Sequence, residues 1–195
     1  METLQPEIRE EPQPERERIG VWRLAVDILE TVVLAVLLFT GINAVSARVR
    51  VDGFSMRPTL EDGEFVLVNR LAYRFGDVQR GDIIVFHFPM DPRQELIKRV
   101  IGVAGDQVMV NGGKVTVNGQ TINEPYIAAS PAYSGEWKVP EGYLFVLGDN
   151  RNDSSDSHSW GMLPMDNVVG KAVLIYWPPR MWDVIEHAEA LAAAP

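Results

Sequence analysis

The chain has 195 residues, 46% of them apolar, and a formal charge of −9 from 18 basic and 27 acidic side chains. That describes one ordinary domain plus an appendage, too apolar for a disordered chain, and its acidity argues against a nucleic-acid partner. With no cysteine there is no disulfide framework, thiolate zinc site or cysteine nucleophile, which leaves the compartment open.

Residues 1–20 are dominated by Pro, Glu, Gln and Arg and have almost nothing to bury, so a disordered tail is expected. Residues 21–47 read as a transmembrane anchor. Thr31 to Ala47 is free of charge for 17 residues, about 25 Å of helix against the ~30 Å of a hydrocarbon core. Extending it back to Leu24 supplies the missing turn but brings in Asp27 and Glu30, which must lie at the interface or be paired. A retained anchor is preferred to a buried core helix and to a cleaved secretory signal. Val45-Ser46-Ala47 has the small residues of a cleavage site, but the acidic leader and the two carboxylates oppose that reading. Charge does not settle orientation: Arg9, Arg16, Arg18 and Arg23 precede the run, and Arg48, Arg50 and Arg57 follow it.

Beyond Ala47 the pattern changes to short β-like runs between turn residues: Glu64 to Val68, Asp82 to Phe88, Leu96 to Val103, Gln107 to Val110, Lys114 to Val117, Tyr143 to Leu147 and Val168 to Trp177. Asn111-Gly112-Gly113 and Asn118-Gly119 tolerate positive φ and predict consecutive hairpins. The pattern indicates an antiparallel barrel-like or sandwich domain, and the expectation carried forward is a mainly β, barrel-like one over residues 48–180, preceded by one N-terminal transmembrane helix. Residues 181–195 form a tail, with Ile185 to Ala194 alanine-rich enough for a short helix.

His87, His158 and His187 lack ligand spacing, and Asp149, Asp153 and Asp156 lack the glycine and terminal glutamate of a calcium loop, so no metal site is expected. No phosphate cradle is present. Three segments stand apart. Val51-Asp52-Gly53-Phe54-Ser55-Met56-Arg57-Pro58-Thr59-Leu60 sets a hydroxyl between Gly53 and Pro58, where it is either a turn donor or, with a base nearby, a nucleophile. Leu96-Ile97-Lys98-Arg99-Val100-Ile101 holds the only one of four lysines flanked by apolar residues over several positions on both sides. Its stem could simply lie along apolar surface; desolvated instead, an amine needs its pKa lowered by roughly 3, on the order of 4 kcal/mol, to reach neutrality, which full burial supplies. Such an amine can take a serine proton without histidine. The polar stretch Gly148 to Gly161 follows an apolar strand, as an exposed loop or as one carrying orienting groups.

Together, GFSMRPTL, GDIIVFHFP followed by ELIKRVIGVAGD, and LGDNRNDSSDSHSWG resemble the successive motifs of bacterial type I signal peptidases, over about Val21 to Trp177. The resemblance implies a membrane-anchored serine endopeptidase that cleaves signal peptides from exported preproteins after small residues and needs no cofactor. It implies a cytoplasmic N-terminus and a periplasmic or extracellular catalytic domain. Ser55 would be the nucleophile and Lys98 its general base, with Ser154 hydrogen-bonding the lysine. Asp149, Arg151, Asp156 and Arg99 would support the site, and Val51 and Ile97 would line shallow pockets. The nucleophile's N–H would form the oxyanion hole, with Gly53 standing where some members have a second, hydroxyl donor. His158 stands where arginine is common, and Asn152 where aspartate is. Trp160, Tyr176, Trp177 and Trp182 are either core or lipid-interface residues. Rival functions are a dedicated maturation peptidase, a self-cleaving repressor-type peptidase, and a membrane-tethered β-domain that binds a protein partner without chemistry.

Overall fold

The computed structural model describes residues 20–187, so the expected disordered tail (but for Gly20) and most of the expected C-terminal helix lie outside the described residues. The chain divides into two units at Gly41/Ile42. Most of helix α1 (Val21–Val45) makes up the described part of the first. At 25 residues the helix is about 37 Å long, enough to cross a hydrocarbon core, and none of its side chains is buried. It ends two residues before the expected boundary, because Ser46 and Ala47 already belong to the first strand.

The second unit is antiparallel β. β1 (Ser46–Arg50), β2 (Phe65–Asn69), β3 (Ile83–Phe88), β4 (Asp91–Gly102), β5 (Gln107–Asn111), β6 (Lys114–Val117), β7 (Gln120–Thr121), β8 (Gly135–Lys138), β9 (Tyr143–Leu147), β10 (Leu163–Pro164), β11 (Val168–Trp177) and β12 (Asp183–Val184) follow in chain order. The main sheet runs β1-β2-β11-β3-β4-β9-β10, with β12 also on β11, and a smaller sheet runs β7-β6-β5-β8. The fold is therefore mainly β, as expected; among the described strands the main ladder is open, with β1 at one end.

The two predicted hairpins are present and explain their glycines. Asn111 pairs with Lys114 across Gly112 and Gly113, and Val117 with Gln120 across Asn118 and Gly119; all four turn residues have positive φ, as a two-residue turn of this twist requires. Three apolar clusters fill the unit. One lies among β1, β2, β3, β4 and β11 and takes in Met56 and Leu60; a second lies between the small sheet and Ile101, Phe145 and Leu147; a third gathers Ile84, Phe86, Val100, Leu144, Val146 and Leu163. Trp160 packs on Phe86 and Phe88 in the third cluster, and Tyr176 packs on Phe65, whereas Trp177 and Trp182 are exposed.

Candidate active site

The turn that carries Ser55 is pinned from below. Met56 and Leu60 are fully buried in the first core cluster, and the Leu60 N–H donates to the Met56 carbonyl at 3.0 Å. Each such side chain contributes about 1.5–3 kcal/mol, so the apolar residues of the motif fix the turn and leave Ser55 half-buried at its surface. Gly53 has φ +92°, and its N–H donates to Asp62 Oδ1 at 2.8 Å. The Ser55 N–H has no acceptor among the described residues.

Lys98 sits mid-strand in β4 opposite Ile84 and is 2% exposed. Its Nζ lies 2.7 Å from Ser55 Oγ and 3.0 Å from the Ile97 carbonyl. Burial pulls the amine down to about 8, working against the carboxylates of Asp156 and Asp149, which raise it. As an ammonium it donates to Oγ; once deprotonated, its lone pair can accept the hydroxyl proton.

Asp149 ties these two segments together. It accepts Arg99 Nε at 2.9 Å and Nη2 at 2.7 Å and also the hydroxyl of Thr59, on the Ser55 turn. Arg99 donates further to the Gly81 carbonyl and stacks its guanidinium 3.9 Å from the centre of the Tyr126 ring. Asp156 accepts the Gly148 N–H at 2.9 Å and lies 2.6 Å from Nδ1 of His158, the residue that stands where arginine is common. His158 in turn stacks flat on Tyr133 at 3.9 Å. Arg151 donates to the Gly148 carbonyl and pairs with Glu124 at 2.6 Å, away from the dyad.

The expected Ser154–Lys98 hydrogen bond is absent. The Ser154 hydroxyl is buried without a partner among the described residues, against Gly148, where an added Cβ would overlap both it and the Ser55 carbonyl oxygen. Lys98 directs its bonds to Ser55 and Ile97 instead. Val51 and Ile97 are core residues of the first cluster and nearly closed to solvent. A cleft of about 610 Å³ runs between β1 and the first half of β4, bordered by Arg48 to Arg50, Asp52, His87 and Pro92 to Leu96.

Sequence reasoning missed Thr59, Glu124, Tyr126 and Asn150. Asn150 donates its backbone N–H to the Ser55 carbonyl at 3.0 Å and its side-chain amide to the Phe54 carbonyl at 3.1 Å, clasping the serine turn from the polar loop. Its signal was its place beside Asp149, but an uncharged amide that serves a backbone carries no titration or nucleophile signature. Asn152 likewise works on backbone, bonding Ala132 N and Ser130 O. Among the described residues no three His, Asp or Glu side chains gather as metal ligands.

A family model described as signal peptidase, peptidase S26, matches residues 24–177. The chain is 42% identical over 173 residues to a probable signal peptidase I-2 of Synechocystis, covering 84% of this chain and 79% of that one. It is 44% identical over 159 residues to a signal peptidase I of Leptolyngbya laminosa, covering 77% and 78%. A solved signal peptidase I from Enterococcus faecalis aligns with a TM-score of 0.46 at 32% identity, over 49% of this chain and 97% of that one.

Proposed function

The chain belongs to the peptidase S26 family of signal peptidases and is a signal-peptide-cleaving serine endopeptidase, and we propose that Ser55 and Lys98 are the dyad that does the cutting. The observation that carries this reading is an amine 2% exposed and 2.7 Å from a serine hydroxyl. Ser55 Oγ attacks the scissile carbonyl while Lys98 Nζ takes its proton; the ammonium so formed then gives that proton to the leaving amine. The unengaged Ser55 N–H is the oxyanion donor. Gly53 offers no hydroxyl, and its N–H is held by Asp62, so it supplies no second donor.

The substrate enters as an added strand in the cleft between β1 and β4. Two features favour this. Among the described strands β1 pairs only with β2, and β9 joins β4 only from Arg99 onward, so the facing edges of both strands have free backbone groups. Val51 and Ile97, buried in the core next to cleft-lining Arg50, Asp52 and Leu96 in the chain, are suited to forming shallow pockets for small side chains.

α1 is a retained single-pass anchor, with the N-terminus cytoplasmic and the catalytic unit on the far side. Against removal as a secretory signal, Ser46 and Ala47 are paired with Asn69 and Val68 of β2, and Ala47 packs on the first core cluster. The exposed Trp177 and Trp182 are suited to the lipid interface. The dyad is tested by assaying Ser55→Ala and Lys98→Ala on a preprotein: each abolishes cleavage while the fold persists, and undiminished turnover in either variant overturns the assignment.

A further inference from the structure

A second polar cleft, of about 720 Å³, opens on the other side of β1's start, and the strongest charges on its wall are Arg70 and Arg74. Both side chains are exposed, and neither has a carboxylate within 4.0 Å among the described residues. His87 adds a third basic group; Asp166 is the one carboxylate on the lining. In a chain of net charge −9, two free guanidiniums facing one cleft call for an anionic occupant.

The position of the cleft says which kind. Ala44, in the last turn of α1, forms part of its wall, and the Arg70 N–H donates to the carbonyl of Val45, the last helical residue, at 3.0 Å. Resting on the reading of α1 as a membrane span, this hydrogen bond holds Arg70 at headgroup depth, whichever way the span is oriented. The loop from Arg70 to Gly76 also has an apolar tip: Phe75 is 88% exposed. An aromatic ring in water beside two arginines at the mouth of a membrane helix is the chemistry of a headgroup contact, with the ring entering the interface and the guanidiniums meeting phosphate oxygens. Leu71, Val168 and Val169 give the cleft an apolar wall on which a glycerol backbone can rest.

We propose that the Arg70–Arg74 cleft binds the phosphate of an anionic phospholipid, seating the peptidase unit on the bilayer at the point where its anchor emerges. Arginine at an anionic surface strengthens binding about fivefold per side chain, and the pair about thirtyfold.

Native mass spectrometry of the full chain in nonionic detergent, titrated with phosphatidylglycerol, phosphatidylcholine or inorganic phosphate, tests this. The wild type should retain phosphatidylglycerol in preference to phosphatidylcholine, and Arg70→Gln with Arg74→Gln should lose about thirtyfold of that preference. Arg70→Lys with Arg74→Lys should recover most of it. Equal retention of both lipids by wild type and the glutamine variant overturns the proposal. Inorganic phosphate that displaces the lipid at equal concentration assigns the cleft to a small anion and overturns it too, as does an acidic peptide that binds there more tightly than phosphatidylglycerol. Cleavage of a detergent-soluble preprotein is measured alongside. The glutamine variant should keep that turnover, which shows it folded, and loss of lipid preference with turnover intact separates this site from the dyad. Should either glutamine change impair folding, Arg70→Gln and Arg74→Gln singly should each show about the fivefold loss, and an unchanged preference in both overturns the proposal.

Discussion

Acidification is the sharpest perturbation of the proposed dyad, because it acts on one side chain whose surroundings are known in detail. Burial holds Lys98 at about 8 in place of an ordinary 10.5. At pH 7 about one molecule in ten then carries the neutral amine, and at pH 6 about one in a hundred, so kcat/KM should fall roughly tenfold per pH unit below 7 and level off above about 9. A lysine left at its ordinary value would be neutral roughly 300-fold less often at pH 7. The assay is kcat/KM on a preprotein or signal-peptide substrate from pH 5.5 to 10.5, in detergent and at constant ionic strength, since the specificity rate reports the free enzyme. An inflection near 8 is expected. A profile flat between pH 6 and 9, or one still rising tenfold per unit at pH 10, would refute the claim that a desolvated Lys98 is the base.

The same burial has a stability consequence: the cost of the charged amine is fully present below pH 8 and is relieved as pH rises toward 10.5, a difference of about 3 kcal/mol. Lys98→Met should therefore raise the thermal midpoint at pH 7 while lowering turnover at least about 10²-fold, and Ser55→Ala should lose about 10⁶-fold without loss of fold; a less stable Lys98→Met would contradict the desolvation account. Gly148→Ala should cost about 1–3 kcal/mol of stability and lower kcat, because its Cβ meets the Ser154 hydroxyl and the Ser55 carbonyl; wild-type melting and turnover would show that the turn has room to give. Arg99→Met leaves Asp149 buried and uncompensated and should destabilise by about 3–5 kcal/mol in denaturant titration. Whatever folds should show its activity inflection at higher pH, because the freed carboxylate favours the ammonium form of Lys98.

Much of the architecture was legible because the core strands follow simple rules. β6, β9 and β11 coincide with the predicted runs, and the hairpins follow from their Asn-Gly and Gly-Gly turns. The strands that were missed have physical causes of their own. The first half of β4 reads Asp-Pro-Arg-Gln-Glu and is mostly exposed, since it pairs with β3 on one edge and leaves the other free; no alternation marks such a segment. β1 hides in the continuation of an apolar helix, and β8 has only Trp137 to bury on the small sheet. At the site, Ser55 and Lys98 stood out by type and surroundings as one of two readings each, and the resemblance to signal peptidases named Arg99, Asp149, Arg151 and Asp156. Asn150 did not stand out, because its work is done on the carbonyls of Phe54 and Ser55, and a sequence does not display which backbone groups need a donor.

The arrangement around Lys98 resolves a conflict that its neighbours create. Two carboxylates, Asp149 and Asp156, lie near enough to favour the ammonium, yet the amine titrates well below an ordinary lysine. Arg99 grips Asp149 with two nitrogens, and the Gly148 N–H and His158 Nδ1 engage Asp156. Desolvation outweighs both carboxylates and decides the outcome at Lys98. The same partners also do the mechanical work. Asp149 joins the strand of Lys98, through Arg99, to the turn of Ser55, through Thr59. Asp156 holds the Gly148 backbone, and Asn150 clasps the Ser55 carbonyl. One polar loop thus helps to fix the hydroxyl 2.7 Å from the amine, while burial of that amine outweighs the charges that do the fixing. A loop built of neutral residues could position Ser55, but it could not hold Arg99 with a matching buried charge, and the strand beside Lys98 would then bury an uncompensated guanidinium.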